Sequence, residues 1–460
     1  MLKKFLLYSL LGCLPVAASA QYNFGQINNP HTHNLASAQL PSLLGDDLKS
    51  GEVHLLNLYA GFGNNFVSAG DLQTLSESGN LSNEFIDGFL ARTPKQAAVW
   101  AGLDLPLLNI FFQVKKKNKP FLFFGLGMRQ KIDINATLNK DLLTLIYKGN
   151  KGFAGQTVNL SPSLNMLYSN EYFLSVAGQI SLPDIGPIKT LSVRPAARFR
   201  LINGMAALSM PDARIDMYTD PEGRYIDFST NLQANLASAV DTPDIESTFG
   251  ELSPGSFRSA GRGFGMDLGV GIMALGRFRV HLGLLDVGSI RFTRNAVNYT
   301  RNSSYRYEGV DLNGAEEGNS ISTGNLEELI QPEKTYQPFS MVLPTKFVFS
   351  GAYLMKKKTR RKVDYYAHNV QLTYVQGFRN YLNATRTPAL NLGYSYNLAN
   401  MVSPGVHVTV GGLNGLMAGA QLGFRLGAVK LGFGSNNLLP LISSSSGRGT
   451  DANLYLGFYF

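Results

Sequence analysis

The sequence predicts an all-β protein: a transmembrane antiparallel β-barrel of about 14 to 16 strands with a short N-terminal plug segment. Three observations carry that class. Charged residues make up 16 % of the 460, below the roughly 25 % of soluble globular chains, beside 48 glycines, 28 phenylalanines and 21 tyrosines. Hydropathy alternates residue by residue over most of the chain, which is the period of an extended strand. The polar half of each alternation is Gly, Ser, Asn and Gln with isolated charges, as expected of a crowded lumen behind a lipid-facing wall.

The chain opens MLKKFLLYSLLGCLPVAASA. Lys3 and Lys4 supply a positive n-region, 5–16 an apolar stretch and Ala18-Ser19-Ala20 a small-residue cleavage site. Residues 1–20 therefore read as a secretory signal peptide, removed near Ala20. Leu10-Leu11-Gly12-Cys13 loosely resembles a lipobox, and lipidation of Cys13 is the competing reading. Cys13 is the single cysteine, so the mature chain would hold no disulfide and no cysteine-ligated metal. After Ala20 no run of about 18 apolar residues follows, and no transmembrane helix is expected. Net charge falls from +9 to +7 once Lys3 and Lys4 leave. The expected location is the Gram-negative outer membrane, with residues 21–50 as a plug or periplasmic segment and 51–460 as the barrel.

The alternation places candidate strands at 53–66, 97–113, 119–135, 157–168, 171–182, 191–205, 211–219, 224–235, 261–274, 277–292, 343–355, 366–378, 387–398, 404–412, 416–426, 428–437 and 452–460. The number is odd, whereas bacterial single-chain barrels have an even one. The segment 211–219 is the weakest, because it begins after Met210 with Pro211. In 416–426 the apolar face is Leu416, Ala418, Ala420, Leu422, Phe424 and Leu426. The opposite face, with Gln421 and Arg425, points to the lumen. The same argument places Lys430 and Asp267 inside. Links alternate in length: 67–96, 136–156, 236–260, 293–342 and 438–451 are long, and those near Gly276, 356–365, 399–403 and Gly427 are short. That asymmetry puts the long links outside the cell and the short ones in the periplasm. The last strand carries Leu454, Leu456, Phe458 and Phe460 on one face. Leu456, Phe458 and Phe460 are the expected signal for the barrel-assembly machinery, and the strand closes the sheet so that no edge is left.

Several stretches resemble a Bacteroidota outer-membrane family catalogued as a domain of unknown function and akin to FadL- and PorV-type barrels: GRGFGMDLGVG (261–271), LGLLDVGSIRFTRN (282–295), LPTKFVFSGAYL (343–354) and LNLGYSYN (390–397). Asn29-Pro30 is a looser match. The similarity spans most of the mature chain and implies fold and location, not chemistry. Residues 21–50 resemble the N-terminal plug of FadL-type barrels but lack a long apolar hatch.

Other motifs have plain explanations. His31-Thr32-His33 has too few ligands for a closed metal site and reads as a solvated pair in a flexible segment. The run Asp311 to Glu317 offers oxygens for calcium without EF-hand spacing and reads as an acidic loop. Gly261, Gly263 and Gly265 lack the following helix of a phosphate-binding loop. His54, His281, His368 and His407 sit on separate strands, no G-x-S-x-G occurs, and no enzyme, metal or cofactor is expected. The basic runs 115–119 and 356–362 suit hairpin turns, anionic lipid headgroups or an acidic periplasmic partner. Nucleic acid does not suit a secreted barrel.

One position breaks the pattern. With Phe278, Val280, Leu282 and Leu284 facing outward, strict alternation would aim Asp286 at lipid, which is costly. A bulge near 284–286 would turn it inward, towards an inward cation such as Arg425 or Lys430. The leading function is uptake or passage of a small solute, hydrophobic in one version, through a plugged lumen. The alternative is a non-transporting scaffold that docks a secretion or surface-attachment machine. The glycine-rich inner faces favour a narrow interior over an open pore.

Overall fold

The computed structural model describes residues 22–29, 31–46, 48, 50–77, 82–187, 190–240, 258–308, 332–360, 363–445 and 447–460. The signal-peptide and calcium-loop expectations lie outside them.

Fourteen antiparallel strands form a closed ring. They are β1 (Gly51–Asn64), β2 (Gln96–Lys116), β3 (Lys119–Asn139), β4 (Pro162–Gly178), β5 (Ser192–Thr219), β6 (Gly261–Ala274) and β7 (Phe278–Phe292). The ring continues with β8 (Lys346–Arg360), β9 (Val363–Gly377), β10 (Ala389–Tyr396), β11 (Val402–Gly411), β12 (Gly415–Leu426), β13 (Val429–Ser435) and β14 (Gly449–Tyr459). Each pairs with its chain neighbour, and β14 closes on β1 from Glu52↔Tyr459 to Gly63↔Gly449. Most long links gather at one end of the ring and most short turns at the other, with the turn 412–414 and the link 179–191 as the exceptions.

Side chains alternate as the strand period requires. Along β12, Met417, Gly419, Gln421, Gly423 and Arg425 are buried, whereas Leu416 and Leu426 are exposed. The outer wall displays Leu174, Phe199, Leu201, Phe264, Leu392, Val406, Val408, Phe433 and Phe458, all exposed. Such a continuous apolar belt is what a bilayer covers.

The strand count corrects the sequence expectation in three places. Candidates 157–168 and 171–182 are one strand, β4. The polar run Ser169-Asn170-Glu171, which resembles a turn, is buried in mid-strand, because Glu171 meets arginines inside the barrel. Candidates 191–205 and 211–219 are likewise one strand, β5. Its register against Ile226–Ser238 shifts between Ser209 and Asp212, so Pro211, which lacks an N–H, sits where the ladder is already broken. The 224–235 candidate forms Ile226–Ser238 but stays outside the ring. It pairs with the upper half of β5 and with Val297–Tyr307, a strand inside the supposed 293–342 loop. Two mergers and one strand outside the ring reduce seventeen candidates to fourteen. The added strands raise the sheet beyond the wall at the long-link end.

On β7 the pairing with β6 runs regularly to Leu284↔Leu268 and resumes at Val287↔Met266. Asp286 occupies the left-handed region at φ 56°, which Asp tolerates better than most residues, and its side chain is buried. Gly288 follows at φ 150°, where a Cβ would stand 2.0 Å from the Phe264 carbonyl oxygen. Replacing Gly288 with Ala should cost about 1–3 kcal/mol through backbone strain. A urea midpoint equal to wild type in lipid vesicles would contradict this account of the bulge.

Candidate functional site

The interior of the ring is occupied by the chain's own N-terminal segment. Asn23 caps α1 (Phe24–Asn28) by accepting from the Gln26 N–H at 3.2 Å. A second short helix, α2 (His33–Ala36), and a 3-10 turn at Pro41–Leu43 follow. Phe24, Ile27, Leu35, Leu40, Leu43 and Leu44 are all buried, each contributing about 1.5–3 kcal/mol relative to exposure. Phe24, Ile27 and Leu40 cluster with Leu285, Val348 and Val375 of the wall, and Leu35 and Leu44 with Phe111, Phe123 and Tyr455. His31 and His33, expected to be solvated, are buried too, because the segment carrying them lies inside the barrel. The His33 Nδ1 is 3.7 Å from Asp46.

Amides join the segment to the wall. The Gly25 N–H donates to Asn436 Oδ1 at 3.0 Å, Gln26 Nε2 to Asn57 Oδ1 at 2.6 Å and Asn28 Nδ2 to Asn391 Oδ1 at 3.1 Å. Asn29 Nδ2 donates to the Tyr455 hydroxyl at 3.2 Å. Glycines make the approach possible: a Cβ on Gly393 would lie 2.3 Å from Asn28 Nδ2.

An ionic tether and a hydrogen bond to a carboxylate hold the segment near the short-turn end. Asp46 bonds Arg194 and lies 3.0 Å from Arg279 Nη1. Burial alone would raise the Asp46 carboxyl, but Arg279 and Arg194 outweigh it and hold the group well below the usual carboxylate range. Asn34 Nδ2 donates to Glu52 Oε2 at 2.8 Å, and the same oxygen accepts from Lys430 Nζ at 3.0 Å. His54 also contacts Glu52. Ser42 Oγ is 3.0 Å from His281 Nδ1. Both residues are buried between segment and wall, where the pair acts as an anchor with no approach for a substrate.

Towards the long-link end the wall carries a buried charge network. Arg200 bridges three carboxylates: Glu171 at 3.1 Å, Asp267 at 2.9 Å and Asp286 at 2.8 Å. Arg129 reaches Glu171 at 2.8 Å and Asp104 at 3.3 Å. Lys131 pairs with Asp133 at 2.9 Å, and Lys346 lies 3.7 Å from Asp286. The Asp286 N–H donates to Asp267 Oδ1 at 2.7 Å.

The five lumen candidates of the sequence all face the interior, in three separate places. Asp267 and Asp286 meet in the network. Gln421 abuts α1, where a Cβ on Gly25 would be 3.1 Å from its Oε1. Arg425 and Lys430 lie near the short turns, Arg425 with its guanidinium 4.0 Å from the Tyr459 ring centre. The expected pairing of Asp286 with Arg425 or Lys430 is therefore corrected: its cations are Lys346, from the adjacent strand β8, and Arg200, which reaches across β6 from β5. Leu456, Phe458 and Phe460 share the outer face of the closing strand, and the Phe460 carbonyl accepts from the Gly51 N–H at 3.0 Å. Sequence reasoning missed Arg129, Lys131, Asp133, Glu171, Arg200 and Lys346. A usable signal was present in MRQKIDIN, where Arg129, Lys131 and Asp133 alternate onto one face. Among the described residues, no group of three or more His, Cys, Asp or Glu side chains is placed to hold a metal.

An apolar outer belt, a closed antiparallel ring and a polar interior filled by its own N-terminal segment define a membrane-spanning β-barrel of the plugged kind. Residues 50–436 match the model of the family of unknown function DUF5723, and the chain belongs to that family. Among solved structures it is similar to the P. putida toluene transporter TodX, at 10 % identity and a TM-score of 0.42 over 96 % of each chain. It is also similar to a Pseudomonas aeruginosa FadL homologue, at 10 % identity and a TM-score of 0.42 over 97 % of this chain and 99 % of that one. No curated protein matches the sequence.

Proposed function

We propose that the protein is an outer-membrane barrel, delivered by a cleaved signal peptide, that passes a small solute when its N-terminal plug shifts. The observation that carries this reading is the character of the plug–wall contact. Amide meets amide at Asn28–Asn391, Gln26–Asn57 and Gly25–Asn436, bonds that water can replace at little net cost. Several buried wall atoms, among them Gln421 Nε2, Asn453 Nδ2 and Ser395 Oγ, have no hydrogen-bond partner among the described residues. Hydration of the lumen would satisfy them. Beside the two apolar clusters and the Asp46 ion pairs, this amide share of the interface is the part that hydration can release.

Single-channel conductance of the refolded protein tests the reading. The variant lacking residues 22–46 should conduct at least about tenfold more than the intact chain, since it loses those bonds and the packing of the segment. Equal conductance would overturn the proposal and favour a scaffold. That second reading has its own footing in the sheet raised at the long-link end, where Tyr218, Asp227, Tyr305 and Arg306 line a surface groove.

A further inference from the structure

Between plug and long-link end the barrel narrows to a cavity of about 50 Å³. This has room for about three or four waters, close to the size of a small amino acid. Its floor is Tyr22, Asn23 and Gln39 of the plug. Its roof comes from 378–388, the link between β9 and β10, which folds into the barrel mouth. Leu382 is fully buried among Leu167, Ile202, Phe292 and Met341, and Asn383 Nδ2 donates to Asp133 Oδ1 at 2.8 Å. The walls carry Asp104, Arg129, Lys131, Asp133, Asp286 and Lys346, three carboxylates against three cations.

We propose that this cavity is the barrel's selectivity site and that it takes small zwitterionic solutes, of which free amino acids are the simplest class. The inference rests on the passage reading above and names its solute. A lining with equal numbers of each sign gives no advantage to a plain anion or cation. An apolar solute would strip water from six ionic groups and return nothing to them. A solute with both an ammonium and a carboxylate replaces what it displaces: its carboxylate meets Arg129, Lys131 or Lys346, and its ammonium meets Asp104, Asp133 or Asp286. Two atoms of the lining residues still lack a partner. Asn23 Nδ2, on a residue 2 % exposed, and Asp104 Oδ1 have no hydrogen-bond partner among the described residues. The first is a donor and the second an acceptor, as a zwitterion requires.

Proteoliposomes containing the full-length protein, diluted into isosmotic L-serine or into erythritol of similar size, decide the matter by their swelling rates. Serine should enter about fivefold faster than erythritol, the margin one modest ion pair provides. In Asp104→Asn the ratio of the serine rate to the erythritol rate should fall towards one. Asp104 suits this test because its side chain is 24 % exposed and Arg129 keeps Glu171 when the Asp104 charge is removed. Serine entry no faster than erythritol, or no serine entry at all through the intact protein, overturns this inference. The passage reading fails separately, when removal of 22–46 leaves conductance unchanged.

Discussion

Replacing Arg200 with Met is expected to destabilise the barrel by about 3–5 kcal/mol, the cost of leaving buried charges without their partner. Arg200 is 1 % exposed and touches three carboxylates at once. Two of them keep another cation, since Glu171 retains Arg129 and Asp286 retains Lys346. Asp267 loses its ion pair and keeps the Asp286 N–H, with Arg198 opposite it on β5 but not in direct contact. The double variant Arg200→Met, Asp267→Asn should therefore recover a good part of the loss, whereas Arg200→Met with Glu171→Gln should recover less. Urea midpoints of the refolded barrel in lipid vesicles measure both. A single-variant loss below about 1 kcal/mol is the value of a solvated pair, and would show that these groups are hydrated rather than buried.

Substituting Gly393 by Val should open the lumen without disturbing the wall. Valine suits a strand, and the backbone bonds of β10 do not change. The new side chain would occupy the space of the Asn28 amide, 2.3 Å from its nitrogen. Overpacking of this size costs about 1–3 kcal/mol, and the weakest partner in the contact is α1, which is held by hydrogen bonds and by the packing of Phe24 and Ile27. Conductance should rise towards that of the variant lacking 22–46, with strand content by circular dichroism as in wild type. Gly351→Val is the matched control, because the nearest atoms there belong to the Phe349 ring at 3.7 Å. If both variants conduct alike, the close approach of segment and wall is not what keeps the lumen shut.

The architecture was legible wherever local chemistry determines it. Leu416 to Leu426 alternates because one face meets lipid and the other the lumen, and no distant residue is needed to see that. The reading failed where a local signal had a remote cause. Ser169-Asn170-Glu171 looks like a turn until Arg129 and Arg200 arrive from neighbouring strands, and Pro211 looks like a break until a register shift absorbs it. Burial of His31 and His33 was hidden for the same reason. Their segment is rich in Asn, as a loop would be, and its partners Asn391, Asn436 and Tyr455 lie more than 300 residues away. Asp286 was the exception. Its charge in an apolar phase was itself the anomaly that required an irregular backbone, though its cations could not be chosen without the ring closed.

The reach of those contacts also sets an order of events. The segment is synthesised first, yet the strands it bonds to through Asn391, Asn436 and Tyr455 come last. Its docking cannot be completed before the arrival of β10 to β14, and the last of these strands supplies the seam with β1. Filling of the lumen and closure of the cylinder are thus steps of one late stage. A chain stalled before that stage would lack the bonds of its segment to Asn391, Asn436 and Tyr455 and would leave one edge of its first strand unpaired at the same time. The full set of contacts that seats the stopper is thus complete only in a finished barrel.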